Sequence, residues 1–583
     1  MTVRRAGGAD REPARLLLGL AAVAVAFAAA DTYVVVLALP DMMSAVELDV
    51  DELQRAAPIV SGFLLGYVAI LPLIGRISDL RGRTPVLVGS LVVFAIGSVL
   101  TAAAYDLDTM VAGRLVQGVG GGGMVPATLA LVADLWPAER RGLPLGVVGA
   151  VQELGSVLGP LYGALVLAVA DWRAIFWLNC AVGLVLVAAL RSPTIRAGAA
   201  DRDAGAPSHV LRDWVGVFLL GGCLACVSLV MLEPGPLVTD LTYGLAFVPV
   251  TGGSRWLTPL ALAALALAAL FVARQLTAHR PLVAWRGWGE VARRTDLLGS
   301  ALLAVCLGGI IVTFASADPQ QQVLSPAAPW LLAGSALTAG LFVWRQRRAR
   351  HPLVPRTALR ERAAWGALVV SFFVGSALIA ALVDIPFFAR LTIYKHSQLD
   401  AALVLVRFLV ALPVGAVLGG WLTRRVRAGR LTLAGMLAAA GSFVEMASWG
   451  PLALEHWTAT IPLVAAGLGF GLAIAPVNAA LLASTADGVH GLASGLLVVA
   501  RMVGMLVGIS ALTTIGLRQF YAASAEIPPL SVLCPGRATA CAAYNDALIE
   551  AGLVQLHAVF VGAAVCAALA GVIALWVFGR SRL

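Results

Sequence analysis

Long apolar runs separated by short polar segments recur along the whole chain. Sixteen can be counted, at approximately 15–39, 56–75, 85–104, 109–135, 143–170, 174–190, 214–232, 257–276, 297–315, 327–344, 363–389, 400–422, 430–450, 458–486, 490–517 and 552–578. Each is close to the roughly 20 apolar residues that an α-helix needs to cross a bilayer. The pattern predicts an all-α polytopic membrane protein of sixteen spans. The first run follows a short polar N-terminus, Met1 to Arg15, and continues to Pro40 with no small-residue cleavage site, so it is expected to be retained as a span. An even count places both termini on one side. The spacing of the runs gives a six plus four plus six arrangement: an N-terminal six-helix block over 1–190, a middle block of four linker helices over 191–362, and a C-terminal six-helix block over 363–583. Paired halves of this kind are a mark of transporter folds.

Composition narrows the class. Of 583 residues, 60% are hydrophobic and 13% charged, about half the charged share of an average soluble chain. That excludes disorder, a secreted disulfide scaffold and a soluble enzyme with a single anchor. The net charge of +9 alone could suggest an acidic partner, but its placement gives another origin. With the first span starting inside the cell, about 31 of the 41 basic residues fall in cytoplasmic segments, seven in outer loops and three within spans. This is the positive-inside bias, and it accounts for the charge without nucleic acid. Both termini are therefore expected in the cytoplasm.

The middle block contains a repeat. Phe271-Val272-Ala273-Arg274-Gln275 through Pro281-Leu282-Val283 matches Phe342-Val343-Trp344-Arg345-Gln346 through Pro352-Leu353-Val354, with eight of thirteen positions identical at an offset of 71. Each copy follows two spans, and each pair opens with Asp-x-x-Gly, at Asp213 to Gly216 and Asp296 to Gly299. A tandem duplication of a helical hairpin explains this, with chance similarity of membrane-exit sequences as the alternative. Outside the spans, the 518–551 segment contains Cys534 and Cys541, a pair expected to form a small disulfide loop in an oxidising compartment. The other five cysteines lie in apolar runs and read as packing residues, with no metal site implied.

Charges inside a membrane each need a reason, because one at the bilayer centre costs on the order of 2.5 to 3.5 kcal/mol on insertion scales. The candidates are Asp31, Arg114, Glu153, Asp384, Arg407 and Arg501. At about 1.5 Å per residue, Asp31 and Arg114 lie at depths of roughly 12 and 8 Å from the outer surface, close enough to meet. Asp384 and Arg407 form a similar acid and base in the second half. Glu153 and Arg501 both fall near the midplane. Buried carboxylates of this kind can take up and release protons, while arginines stay charged and pair with them. Structural ion pairs that lock helices are the alternative reading. Asp31 is expected to be the main proton site, and Glu153 with Arg501 a conformational lock.

The loop between the second and third spans reads Gly75-Arg76-Ile77-Ser78-Asp79-Leu80-Arg81-Gly82-Arg83-Thr84. It resembles the cytoplasmic loop signature of the major facilitator superfamily, with Leu80 and Thr84 where basic residues are usual. Arg114-Leu115-Val116-Gln117-Gly118-Val119-Gly120 resembles that superfamily's fourth-span motif, whose Arg is linked to proton transfer. Gly155, Gly159, Pro160 and Gly163 stand in a segment similar to the fifth-span antiporter motif, and Asp31-Thr32-Tyr33-Val34-Val35 in one similar to the first-span motif of the fourteen-span drug/proton antiporter family. Gly118 with Gly122, and Gly155 with Gly159, are small residues four apart that would let helices approach closely. The resemblance implies that Gly75, Asp79, Arg81, Gly82 and Arg83, together with the fifth-span motif, control the conformational change.

Gln152 to Gly163, Leu382-Val383-Asp384, Ala411-Leu412-Pro413 and Val498 to Met502 are similar to the mycobacterial triacylglyceride and drug exporters that work with a lipid-binding lipoprotein. That family has two linker spans where four are counted here. Its outer insertion before the tenth superfamily helix is reduced to about Gly450–Trp457. The expectation is a proton-coupled exporter of lipophilic molecules in a bacterial cytoplasmic membrane, acting as a monomer, driven by the proton gradient without a cofactor, and served by an extracytoplasmic lipoprotein. A dedicated multidrug/proton antiporter and a multi-span membrane enzyme are the alternatives. The second lacks a His-Glu-x-x-His or His-x4-Asp signature.

Overall fold

A computed structural model describes residues 11–48, 53–192, 213–278, 288–315, 327–355, 358–394, 397–534 and 541–578. Most of the Arg-rich 191–213 segment, Pro281 to Val283 of the first repeat copy, Lys395, and the side chains of Tyr33, Val36 and Pro160 lie outside the described residues.

Long helices occupy all sixteen positions marked by the apolar runs: α1 (Arg11–Ser44), α2 (Leu53–Arg81), α3 (Arg83–Ala102), α4 (Leu107–Leu135), α5 (Gly142–Leu167), α6 (Arg173–Leu190), α7 (Trp214–Leu232), α8 (Pro259–Thr277), α9 (Leu297–Ala315), α10 (Ala328–Arg348), α11 (Arg362–Leu391), α12 (Gln398–Leu422), α13 (Ala428–Met446), α14 (Thr460–Ala483), α15 (His490–Ala525) and α16 (Ala542–Phe578). Among the described residues, twelve are long and apolar enough to cross a membrane, or thirteen when α9 is joined with the short helix Trp288–Arg294 that meets it at 68°. α10, which ends in Arg345, Arg347 and Arg348, is among those that fall short. Large apolar side chains such as Leu165, Val185, Phe218 and Trp576 point outward and are exposed, which suits hydrocarbon and not water.

Contacts group the described chain into two units. One comprises residues 1–128, 159–304 and 342–353, and the other 129–158, 305–341 and 354–583. In the first, α3 packs along α6 and α7 along α8. α2 and α4 approach closely: the Phe63 carbonyl occupies the place of a side chain at Gly118, and the Tyr67 carbonyl that at Gly122. In the second unit α12 packs on α14, α13 on α14 and α16, and α11 on α15 and α16. Its core is built from small and aromatic residues, with Phe443 between Phe470 and Phe560.

The repeat in the middle block has a shared physical basis. Asp213 caps α7 by accepting the Gly216 N–H at 3.1 Å, and Arg274 from the end of α8 donates its Nε–H to the same carboxylate at 3.1 Å. Asp296 does the same for α9, accepting from Gly299 at 3.0 Å and from Arg345 at the end of α10 at 3.1 Å. Each carboxylate thus satisfies a helix N-terminus and ties it to a later helix's C-terminal turn. The repeated Asp, Gly and Arg are parts of one latch used twice.

Burial works against the charge of Asp213, but bonds from the Gly216 N–H, Arg274 and Gln275 outweigh it and hold the carboxyl below the usual carboxylate range. A group depressed in this way stabilises the fold above its unfolded pKa, and the contribution fades as pH falls through the folded one. Acidification through the carboxylate range is therefore expected to lower the protection of amide hydrogens, measured as their exchange relative to the unstructured rate at the same pH, at the start of α7 and the end of α8. Asp213→Asn should exchange faster at neutral pH and lose most of that pH dependence.

Candidate functional site

The first unit buries a polar centre within its apolar helices. Asp31 on α1 is 1% exposed and Arg114 on α4 is fully buried, with Arg114 Nη1 donating to Asp31 Oδ2 at 2.6 Å. The other carboxylate oxygen accepts from Gln117 Nε2 at 3.0 Å and from Asn179 Nδ2 of α6 at 2.5 Å. Gln117 also accepts from Arg114 Nη1 at 2.7 Å and donates to Ser98 Oγ on α3 at 3.1 Å. Arg114 Nε donates to the Ile59 carbonyl of α2 at 3.3 Å, and the guanidinium lies 4.5 Å from the centre of the Phe63 ring. Four helices besides α1 thus supply partners, and the aromatic face gives the cation a further neighbour where water is excluded.

Local sequence explains how these groups converge. Arg114 and Gln117 are three apart and share one helix face. Gly159 on α5 has no side chain where the Ala30 carbonyl would lie 2.5 Å from a Cβ, so α5 seats against the turn of α1 that holds Asp31. Gly163 meets Val34 one turn further along.

At the loop signature, Gly82 adopts φ 92° between α2 and α3, a left-handed conformation that a side chain would strain. The turn brings Arg83 back onto Asp79 as an ion pair, and Arg83 is itself 6% exposed. Arg81 lies 5.3 Å from the Trp288 ring centre, and Gly75 is buried within α2.

In the second unit Arg501 Nη1 lies 3.9 Å from Glu153 Oε1, with both side chains 13% exposed. Around Arg501, Ser371 Oγ of α11 donates to the Leu497 carbonyl at 3.1 Å and Ser376 Oγ to the Gly504 carbonyl at 2.9 Å. Gly155 is buried in the same turn region of α5 as Glu153. Asp384 and Arg407 do not pair: Arg407 Nη1 donates to Thr460 Oγ1 of α14 at 3.0 Å, and Asp384 has no hydrogen-bonding or ionic partner among the described residues. Similar depth along two helices does not make their side chains face one another. Cys534 and Cys541 are joined in a disulfide with Cα atoms 5.8 Å apart.

Sequence reasoning singled out Asp31 and Arg114 but gave no role to Ser98, Gln117 or Asn179. The legible signals were the i, i+3 relation of Gln117 to Arg114 and the isolation of Asn179 in the apolar stretch of α6.

An acid and a guanidinium sealed from water inside a bundle of membrane helices are what membrane transporters use along substrate and ion pathways. A family model described as Major Facilitator Superfamily matches residues 21–344 and 295–509, and the chain belongs to that family. It is a multi-pass membrane transporter and not an enzyme. It is 34% identical to a triacylglyceride transporter of Mycolicibacterium hassiacum over 96% of this chain and 90% of that one. It is 36% identical to a triacylglyceride transporter of Mycobacteroides abscessus over 87% and 83% of the two chains, and 33% identical to one of Mycobacterium tuberculosis over 97% and 95%. Among solved structures, the proton:xylose symporter XylE shares the fold with a TM-score of 0.54 at 12% identity, covering 97% of this chain and 95% of that one.

Removing one member of a buried pair leaves the other charge uncompensated, at a cost of about 3 to 5 kcal/mol. Arg114→Met should therefore lower the thermal stability of the detergent-solubilised protein more than the double variant Asp31→Asn/Arg114→Met does. Melting followed by tryptophan fluorescence checks the order.

Proposed function

We propose that the protein is a proton-coupled exporter of lipophilic molecules, with a triacylglyceride-like lipid as the main substrate class. The observation that carries this reading is the fully buried Asp31–Arg114 pair, because a carboxylate sealed among membrane helices is held by charge and released by protonation. The substrate class rests on relatives called triacylglyceride transporters that match nearly the whole chain. Proton uptake at Asp31 removes the attraction that holds Arg114 and frees Gln117 from its bond to the carboxylate. Loss of those bonds biases α1, α4 and α6 toward a second packing, and alternating access follows from the two packings.

The remaining roles fit this scheme. Glu153 and Arg501 form a lock that holds one conformation, and Asp384 with Arg407 provides further titratable and cationic groups. The Gly75 to Arg83 loop and the Gly155 to Gly163 segment of α5 govern the transition. The chain works as a monomer in a bacterial cytoplasmic membrane, with both termini in the cytoplasm and a lipid-binding lipoprotein receiving cargo on the far side. Its sixteen helices form two six-helix blocks and a linker of four.

Proteoliposomes loaded with fluorescent triacylglyceride provide the test. An imposed pH gradient should accelerate lipid movement, and Asp31→Asn should reduce the gradient-driven part at least about tenfold, the effect of roughly 1.4 kcal/mol or more on the coupled step. Rates that ignore the gradient would overturn the coupling. Gradient-driven movement of a lipophilic drug with none of the lipid would favour a multidrug antiporter instead.

Extending the same assay to the lock, Glu153→Gln should change the rate of movement while leaving its dependence on the gradient in place. A rate equal to that of the unsubstituted protein would remove Glu153 from the cycle.

A further inference from the structure

Asp31 must exist in two protonation states for the proposed coupling to work, and each state asks something different of its neighbours. The carboxylate needs donors. The neutral acid needs an acceptor for its new O–H. Three side chains donate to it in this structure: Arg114 to Oδ2, and Gln117 and Asn179 to Oδ1.

Arg114 carries only donors and cannot serve the neutral acid. Gln117 has both kinds of group, but each is committed: its Oε1 accepts from Arg114 and its Nε2 is shared between Asp31 and Ser98. Rotating that amide would break its bonds to Arg114, Asp31 and Ser98 together. Asn179 makes no other hydrogen bond among the described residues. Its amide can turn about its terminal bond and offer Oδ1 in place of Nδ2 at the cost of that single contact. It is 1% exposed, so water does not readily take its place.

We propose that Asn179 is the positioning residue that lets Asp31 alternate between its charged and neutral forms, donating to the carboxylate and accepting from the acid. This rests on the proton-coupled reading above. The other groups facing Asp31 do not share the role. From α4 come the fixed cation Arg114 and Gln117, whose amide is already committed at both ends. α2 contributes the Ile59 carbonyl and the Phe63 ring to that cation, and α3 reaches the site through Ser98. From α5 the Tyr162 phenol lies within reach of the Asp31 charge, but its O–H is donated to the Ile175 carbonyl at 3.2 Å.

The test reads Asp31 directly. Infrared difference spectra of the detergent-solubilised protein, titrated from acid to alkaline, report the carboxylic C=O band, assigned to Asp31 by its loss in Asp31→Asn. Asn179→Leu keeps the shape and removes both donor and acceptor. Because the retained Arg114 and Gln117 still hold the carboxylate, the direction of the shift reports which lost contact matters more.

Loss of the short bond to the anion dominates, so the midpoint should rise by about one pH unit, the size expected for a hydrogen bond to a charged group. Asn179→Thr, whose hydroxyl can donate or accept, should return it toward that of the unsubstituted protein. If Asn179→Leu does not fold, Asn179→Ala carries the same expectation. An unmoved midpoint in the apolar variant overturns the inference, as does a midpoint that moves equally in the threonine variant. Lipid movement that ignores the pH gradient, with the infrared shift present, would sink the coupling and leave the chemistry of Asn179 standing.

Discussion

The centre of the first unit is a carboxylate that cannot reach water. In a low-dielectric interior two opposite charges a few ångströms apart attract strongly, at about 4 kcal/mol even for an effective dielectric of 20, yet each loses more than that in hydration when it is buried alone. Asp31 and Arg114 are tolerable only together and with most of their other polar atoms partnered. Gln117 and Asn179 donate to the carboxylate, the Gln117 and Ile59 oxygens accept from the guanidinium, and Ser98 holds Gln117, while Arg114 Nη2 has no hydrogen-bonding partner among the described residues. The surrounding helices are arranged accordingly: α4 must lie against α2 and α3, and α5 must come close enough to α1 for Gly159 to rest on Ala30. The ion pair and the close helix contacts are two sides of one constraint.

The second unit handles charge differently. The contact between Glu153 and Arg501 is longer and its members keep some access to their surroundings. A pair of that kind is held less firmly than one at 2.6 Å in full burial. Serine hydroxyls of α11, by contrast, bond directly to the backbone of α15 on either side of Arg501. They tie those two helices together.

Much of this was legible in the sequence, because a membrane chain spells out its helices in apolar runs and marks its exceptions with charge. All sixteen long helices stand where those runs placed them, and the depths of Asp31 and Arg114 counted along their spans brought them within reach. Depth is a one-dimensional quantity, though. It carried no information on which way a side chain points around its helix, and that is why Asp384 and Arg407 looked like a pair while Arg407 turns to Thr460. Uncharged amides escaped notice for another reason: Asn179 and Gln117 cost far less to bury than a charge does, so a scan for expensive residues passes over them. The Asp-x-x-Gly and Arg-Gln motifs of the middle block were visible as repeats, but their joining required three dimensions.

That joining has a consequence for how such a chain can grow. Because Asp213 at the start of α7 meets Arg274 at the end of α8, the polypeptide leaves this pair of helices on the face where it entered. An element with that property is a cassette: it can be copied or deleted whole without inverting anything downstream. α9 and α10 carry the same bond through their own Asp296 and Arg345, so that pair likewise returns the polypeptide to the face from which it came.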